Sequence, residues 1–166
     1  MSVLEVGDSF PDNVSFTYIP FTPESKDITS CGIPTKYNAS EELKNKKVVI
    51  VAVPGAFTPT CQASHLPGFI HNIDALKAKG VDQVIVIASN DPYVMSAWGK
   101  ANYTNDDFII FASDSELAFS KAIGWTQGDR TARYAIAVDH GKVVYAAKET
   151  ERGVNVSGAE AVLAKL

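Results

Sequence analysis

Residues 46–53 read KKVVIVAV, and this run decides how the rest of the chain is arranged. Two lysines lead into six apolar positions dominated by Val and Ile. No polar residue alternates with them, so a strand here has both faces covered, as strands do in a parallel sheet between helical layers. Residues 82–88, DQVIVIA, repeat the pattern, and residues 107–113, DFIIFAS, repeat it again. The segments between these runs carry helix signals. A helical region is expected from about Thr60 to Lys79, with Pro67 near its middle as a kink or break. The stretch NDPYVMSAWGKAN (residues 90–102) opens with Asn90 or Asp91 as a cap and Pro92 in the first turn, a strong helix start.

Further along, DSELAFSKAIG (114–124) reads as a short helix ended by Gly124. RYAIAVDHGKVVYAAKE (133–149) reads as two strands joined by a tight turn at His140 and Gly141. The last segment, VSGAEAVLAKL (156–166), places Ala159, Val162, Leu163 and Leu166 on one helical face. The first 45 residues look irregular, with one short strand and a long polar loop carrying Cys31. The order is βαβαβα and then ββα. Alternation predicts a parallel centre, and the late hairpin adds an antiparallel edge. The expected fold is α/β, a thioredoxin-like three-layer sandwich with a central mixed sheet and helices on both faces. One domain is expected over residues 1–166, without repeats or linkers.

Composition narrows the function. A chain of 166 residues suits one domain and buries roughly 70% of its unfolded surface, so it needs no staples. The formal charge is −4, and no basic run interleaved with aromatics occurs, which argues against nucleic acid. No stretch reaches the length of a membrane span. The opening MSVLEVGDSFPD lacks the basic start and apolar centre of a signal peptide. Neither a Gly-x-Gly-x-x-Gly nor a Walker loop occurs, so nucleotide chemistry has no support.

The chain has 2 cysteines, too few for a disulfide framework. Cys61 stands in VPGAFTPTCQASHLPGF (53–69), just where a helix can begin after Thr58, Pro59 and Thr60. A helix start offers unpaired N–H groups and a partial positive charge, both of which favour a thiolate. An ordinary cysteine is only a few per cent ionised at neutrality. Ionisation also lowers intrinsic nucleophilicity, so a fast site must stabilise its transition state as well. Thr58, three residues earlier, can direct its hydroxyl toward the sulfur. Pro54 and Pro59 stiffen the turn, and Gly55 permits close backbone approach. Arg133, heading an apolar strand, has a guanidinium fork suited to hold a thiolate and an oxygen-bearing substrate together.

These residues carry a resemblance. PGAFTPTC (54–61) fits Pro-x-x-x-Thr-x-x-Cys, the active-site signature of peroxiredoxins. HLPGF (65–69), VDQVIVIASNDPYVMSAWGKA (81–101), FASD (111–114) and RTARYA (130–135) resemble the type-five subgroup, above all its fungal members, some of them allergens and some peroxisomal. The likeness runs from about Gly7 to Leu166. It implies that Cys61 is the peroxidatic cysteine, attacking the terminal oxygen of a hydroperoxide and becoming a sulfenic acid. Pro54 would shield the pocket, and Thr58 and Arg133 would polarise the O–O bond. It implies neither metal nor other cofactor.

Cys31, in TSCGIP (29–34), reads on its own either as a lone partly buried thiol or as an exposed partner for exchange chemistry. The resemblance implies the second role: a resolving cysteine that forms a disulfide with Cys61, across a homodimer rather than within one subunit, reduced by thioredoxin. A peroxide sensor or redox-regulated chaperone using the same oxidation is the alternative. His65, four residues after Cys61, lies on the same helical face. A Cys–His hydrolase would need an orienting partner for the histidine, and a metal would need further ligands that the spacing does not supply. His65 is therefore expected to line or support the pocket. The last residues, Ala164-Lys165-Leu166, nearly match the Ser-Lys-Leu peroxisomal address. They leave peroxisomal matrix, cytoplasm or both as locations.

Overall fold

The three apolar runs form the parallel centre of a seven-stranded sheet in the computed structural model, which describes residues 2–166. These are β3 (Lys47–Ala52), β4 (Gln83–Ala88) and β5 (Ile109–Ser113). β3 pairs with β4, and β4 with β5, both in parallel. On one side the late hairpin continues the sheet. There β8 (Tyr134–Asp139) runs antiparallel to β3, and β9 (Lys142–Lys148) antiparallel to β8. His140 and Gly141 both have positive φ, 47° and 84°, as a two-residue turn matched to strand twist requires.

The other edge holds the one short strand expected in the first 45 residues, β1 (Phe16–Tyr18), and a second, β2 (Thr35–Tyr37), where a loop was expected. The two pair antiparallel, and β1 adds to β5. A short helix, α1 (Ala39–Glu42), leads from them to β3. A separate ribbon, β6 (Thr126–Gln127) with β7 (Arg130–Thr131), also escapes the sequence reading.

Alternate residues of each central strand feed two cores. Val48, Ile50, Ala52, Ile85 and Ile87 face one side, with Leu43 after α1 and Phe119 of α5 (Ala118–Ala122). Val49, Val51, Val84, Val86 and Phe111 face the other, beneath α2 (Leu66–His71), α3 (Ile73–Ala78), α4 (Pro92–Ala101) and α6 (Ala159–Leu163). The result is a three-layer sandwich with a mixed central sheet, as the element order implies. Each fully buried large side chain, such as Phe69 or Trp98, contributes about 1.5–3 kcal/mol through burial. Asp91 caps α4, its carboxylate accepting from the Val94 N–H at 2.9 Å, with Pro92 following. Gly99 in that helix admits the ring of Phe111, since a Cβ there would lie 2.6 Å from a ring carbon.

The helical region after Cys61 breaks elsewhere than expected. Residues 59–71 are continuously helical, with one π turn at Cys61–His65, and the interruption falls at Asn72. Pro67 sits in the first turn of the α-helical part, where its missing N–H costs nothing. No helix among the described residues is long and apolar enough to cross a membrane.

Candidate active site

The site lies past the C-terminal end of β3. The Val53 N–H donates to the Ile87 carbonyl at 2.9 Å, extending the parallel pairing by one residue. The Val53 carbonyl accepts from the hydroxyl of Thr131, which is buried, at 2.7 Å. The chain then turns through Pro54 and Gly55. The Ala56 N–H donates to the Asn90 side chain at 2.9 Å, tying this turn to the end of β4. Phe57 takes a left-handed conformation, φ 62°, and the helix begins after Thr58. The Gln62 N–H bonds to the Thr58 carbonyl at 2.9 Å. Cys61 therefore lies in the first turn, its side chain 1% exposed against the α2–α4 core. A π turn widens the helix at that point, a feature frequent at functional sites.

Arg133 reaches the sulfur. In the antiparallel register β8 sets Tyr134 opposite Ala52 and Lys148, so Arg133 stands at the end of the sheet between Val53 and Glu149. Its Nη2 donates to Cys61 Sγ at 3.3 Å, and its Nη1 donates to His65 Nδ1 at 2.9 Å. The Arg133 carbonyl accepts from the Glu149 N–H at 2.9 Å. One guanidinium thus spans both residues that the Cys61-x-x-x-His65 spacing places on one face.

His65 is fully buried, and both ring nitrogens have partners. Because Arg133 can only donate, His65 Nδ1 must accept, and Nε2 carries the proton that it donates to the Ser157 carbonyl at 2.8 Å. Burial pushes the imidazole pKa down to about 4, and the Arg133 charge adds to that against the opposing Ser157 bond. A neutral ring with both nitrogens occupied cannot serve as base to Cys61 or bind a metal. The pocket-supporting role expected for His65 takes this concrete form.

Glu149 and Ser157 complete the support, and the sequence reading did not find them. Glu149 Oε1 accepts from the backbone N–H groups of Asn155, Val156 and Ser157 at 2.6, 2.8 and 2.9 Å, and from the Ser157 hydroxyl at 2.8 Å. Partial burial alone would raise its pKa, but these bonds outweigh burial and lower it. The carboxylate thereby folds residues 155–157 into the loop that presents the Ser157 carbonyl to His65. The one signal available in the sequence is generic: a buried histidine needs two partners.

Thr58 differs from the expectation. Its hydroxyl donates to the Gly55 carbonyl at 2.6 Å rather than to the sulfur. With its proton committed there, the oxygen offers lone pairs to a donor arriving from outside. Pro54, half-buried, shares a cleft with Thr60 and Arg133. Cys31 is exposed on a loop fastened to α4, where Lys100 Nζ donates to the Ser30 carbonyl and hydroxyl, each at 3.0 Å. Both thiols are free. Trp98 and Asn102 join α4 to the Cys61 helix by bonding Gln62, at 2.6 and 2.7 Å.

The buried histidine gives a testable pH dependence. Unfolded, an imidazole binds a proton below about 6.5; folded, His65 does so only below about 4. Its contribution to stability is full above pH 6.5 and is lost as pH falls toward 4, a loss of about 3 kcal/mol. Urea unfolding at stepped pH should show His65→Gln losing less stability than the parent over that window. Equal losses would place the titration elsewhere.

Comparison with known proteins places the chain in a family. A family described as Redoxin matches residues 5–163. A peroxiredoxin AHP1 of Chaetomium thermophilum is 59% identical over 167 residues, covering 100% of this chain and 96% of that one. A relative from Lipomyces kononenkoae, whose name carries the words peroxisomal peroxiredoxin, is 52% identical, covering 96% and 99%. Among solved structures, reduced Prx3 from Vibrio vulnificus in complex with H2O2 superposes with a TM-score of 0.82 at 38% identity, covering 98% of each chain. Likeness of this extent over nearly the whole length shows common descent: the chain belongs to the Redoxin family and is a peroxiredoxin, a thiol-dependent peroxidase.

Proposed function

We propose that this peroxiredoxin, one domain over residues 1–166, reduces hydrogen peroxide and small alkyl hydroperoxides and is recycled by thioredoxin through a Cys31–Cys61 disulfide. The observation carrying this reading is the Arg133 fork, with one arm 3.3 Å from the Cys61 sulfur and the other braced on His65. A hydroperoxide entering beside Pro54 meets Arg133 and the free lone pairs of Thr58. The Cys61 thiolate attacks the terminal oxygen, an S–O bond forms, and the O–O bond breaks. The departing oxygen takes a proton and leaves as water or alcohol. Preplaced donors at such a departing charge are commonly worth about 2.7–4 kcal/mol each.

The sulfenic acid then condenses with the Cys31 thiol, forming the disulfide and releasing water. Cys61 is buried and Cys31 exposed, so the Cys61 sulfur has to become accessible before the two can join. An intermolecular bond in a homodimer suits an exposed loop thiol. Phe57, half-exposed at the Cys61 turn, offers apolar surface for that contact. Thioredoxin's dithiol would reduce the bond by exchange.

Cys31→Ser is expected to leave the first oxidation intact, consuming about one equivalent of peroxide per subunit, and to abolish NADPH consumption with thioredoxin and its reductase. Continued turnover would remove Cys31 from the cycle. The same coupled assay on the parent separates the sensor or chaperone reading, which requires only stoichiometric consumption, from a peroxidase consuming many equivalents. For location, the name of the Lipomyces relative and the terminal Ala-Lys-Leu support the peroxisomal matrix, with the cytoplasm as the other site. Ala164 and Lys165 are exposed, but Leu166 packs partly against the core beneath α6, so a receptor would have to lift it.

A further inference from the structure

The cleft that Pro54, Thr60 and the sulfur-binding Arg133 line extends along the β6–β7 ribbon and residues 148–153, with a volume of about 760 Å³. Hydrogen peroxide needs roughly the space of two waters, about 60 Å³, so most of the cleft serves no part of that substrate. Its outer walls carry Arg130, Lys148 and Arg152. The two carboxylates present are Glu149, whose Oε1 is engaged by the 155–157 loop, and Glu151. Among the described residues, the ion pairs lie elsewhere, at Lys44–Glu41, Lys46–Glu42 and His140–Asp139, and none involves these cations. With Arg133, four cations face two carboxylates in one cleft, and this excess of positive charge, on a chain of net charge −4, focuses attraction for anions there.

The wall bearing Arg130 is held in place rather than loose. Arg130 belongs to the β6–β7 ribbon, whose next residue, Thr131, is buried and bonded to the Val53 carbonyl. Its Nη1 lies 3.0 Å from where a Cβ on Gly55 would stand, so the guanidinium crosses the turn that leads to Cys61. The absence of a side chain at Gly55 gives it that path.

We infer that this cleft is a carboxylate subsite: beyond hydrogen peroxide, the enzyme takes organic hydroperoxides bearing a carboxylate, which Arg130, Lys148 and Arg152 hold while the peroxy end reaches Cys61. The inference rests on the peroxidase reading and names a substrate class for the same site. The chemistry is unchanged. The sulfur gains the terminal oxygen, the O–O bond breaks, and the hydroxy acid departs after its alkoxide takes a proton. Forked guanidinium groups suit a planar carboxylate.

The test compares a tertiary alkyl hydroperoxide carrying a terminal carboxylate with its methyl ester, measuring kcat/KM for each. At low salt the parent should prefer the acid about tenfold, since several weak exposed contacts act together. The preference should shrink toward unity at about 0.5 M salt. In the triple variant Arg130→Ala, Lys148→Ala, Arg152→Ala the acid-to-ester ratio should fall to about one. The single charge reversal Arg152→Glu, a smaller perturbation to folding, should lower it as well. Equal rates for acid and ester in the parent, or an unchanged ratio in these variants, would overturn the inference. Hydrogen peroxide turnover by the parent keeps the two ideas apart: if it is present while the ratio is one, only the subsite fails.

Discussion

Cys61→Ser should lower peroxide reduction by at least about a thousandfold while leaving the fold intact. A serine hydroxyl at neutrality has no anionic fraction to attack oxygen, and removal of a nucleophile commonly costs several orders of magnitude. The substitution is nearly isosteric. The residue lies in the first helical turn, against the α2–α4 core, and Arg133 retains its bond to His65. Circular dichroism and urea midpoints should therefore stay close to those of the parent. Residual turnover within tenfold of the parent would mean that Cys31, or another group, performs the oxidation.

Arg133→Ala should produce the second-largest effect, a loss of about 100–1,000-fold in the rate constant for peroxide reduction, as removal of a preplaced donor does elsewhere. It should also destabilise the protein by about 1–3 kcal/mol, because the buried Nδ1 of His65 loses its donor. Arg133→Lys separates charge from geometry. One ammonium cannot reproduce two arms that meet His65 at 2.9 Å and Cys61 at 3.3 Å. Its rate should fall between those of the parent and the alanine variant. If lysine restored the full rate, the charge alone would suffice and the fork would carry no weight. Stopped-flow mixing with peroxide, followed by tryptophan fluorescence, reads both; Trp98 lies one hydrogen bond from Gln62, the neighbour of Cys61.

The sequence disclosed those parts of the molecule whose local pattern and tertiary role coincide. β3, β4 and β5 are continuous apolar runs because both their faces are covered, and β8–β9 announce themselves through a turn that tolerates two positive φ angles. The unforeseen β2 is three residues long, and β6 and β7 only two. Elements that short exist because a neighbour supplies hydrogen bonds, not because their own residues repeat. The π turn at Cys61 likewise depends on what packs around it.

The site divides in the same way. Cys61, Thr58 and Pro54 share one stretch of chain, where a helix start and two prolines are visible as spacing. Arg133 comes from just before β8, 72 residues away; its place before an apolar run made it a candidate, and the family likeness singled it out. The direction of the Thr58 hydroxyl was misread because a carbonyl three residues back competes for the proton at close range. Glu149 and Ser157 stayed hidden for a related reason. Ser157 acts on Cys61 through two intervening residues and the Glu149 carboxylate through three, and a pattern of residue types records contacts of that order poorly.

The central claim is that peroxide oxidises one particular sulfur, the one gripped by Arg133. Treating the reduced protein with one equivalent of hydrogen peroxide in the presence of dimedone, which traps sulfenic acids, and mapping the adduct by peptide mass spectrometry addresses it directly. The expected result is an adduct on the peptide bearing Cys61 and none on the peptide bearing Cys31. Labelling that falls mainly on Cys31 would contradict the account, however well the protein consumed peroxide.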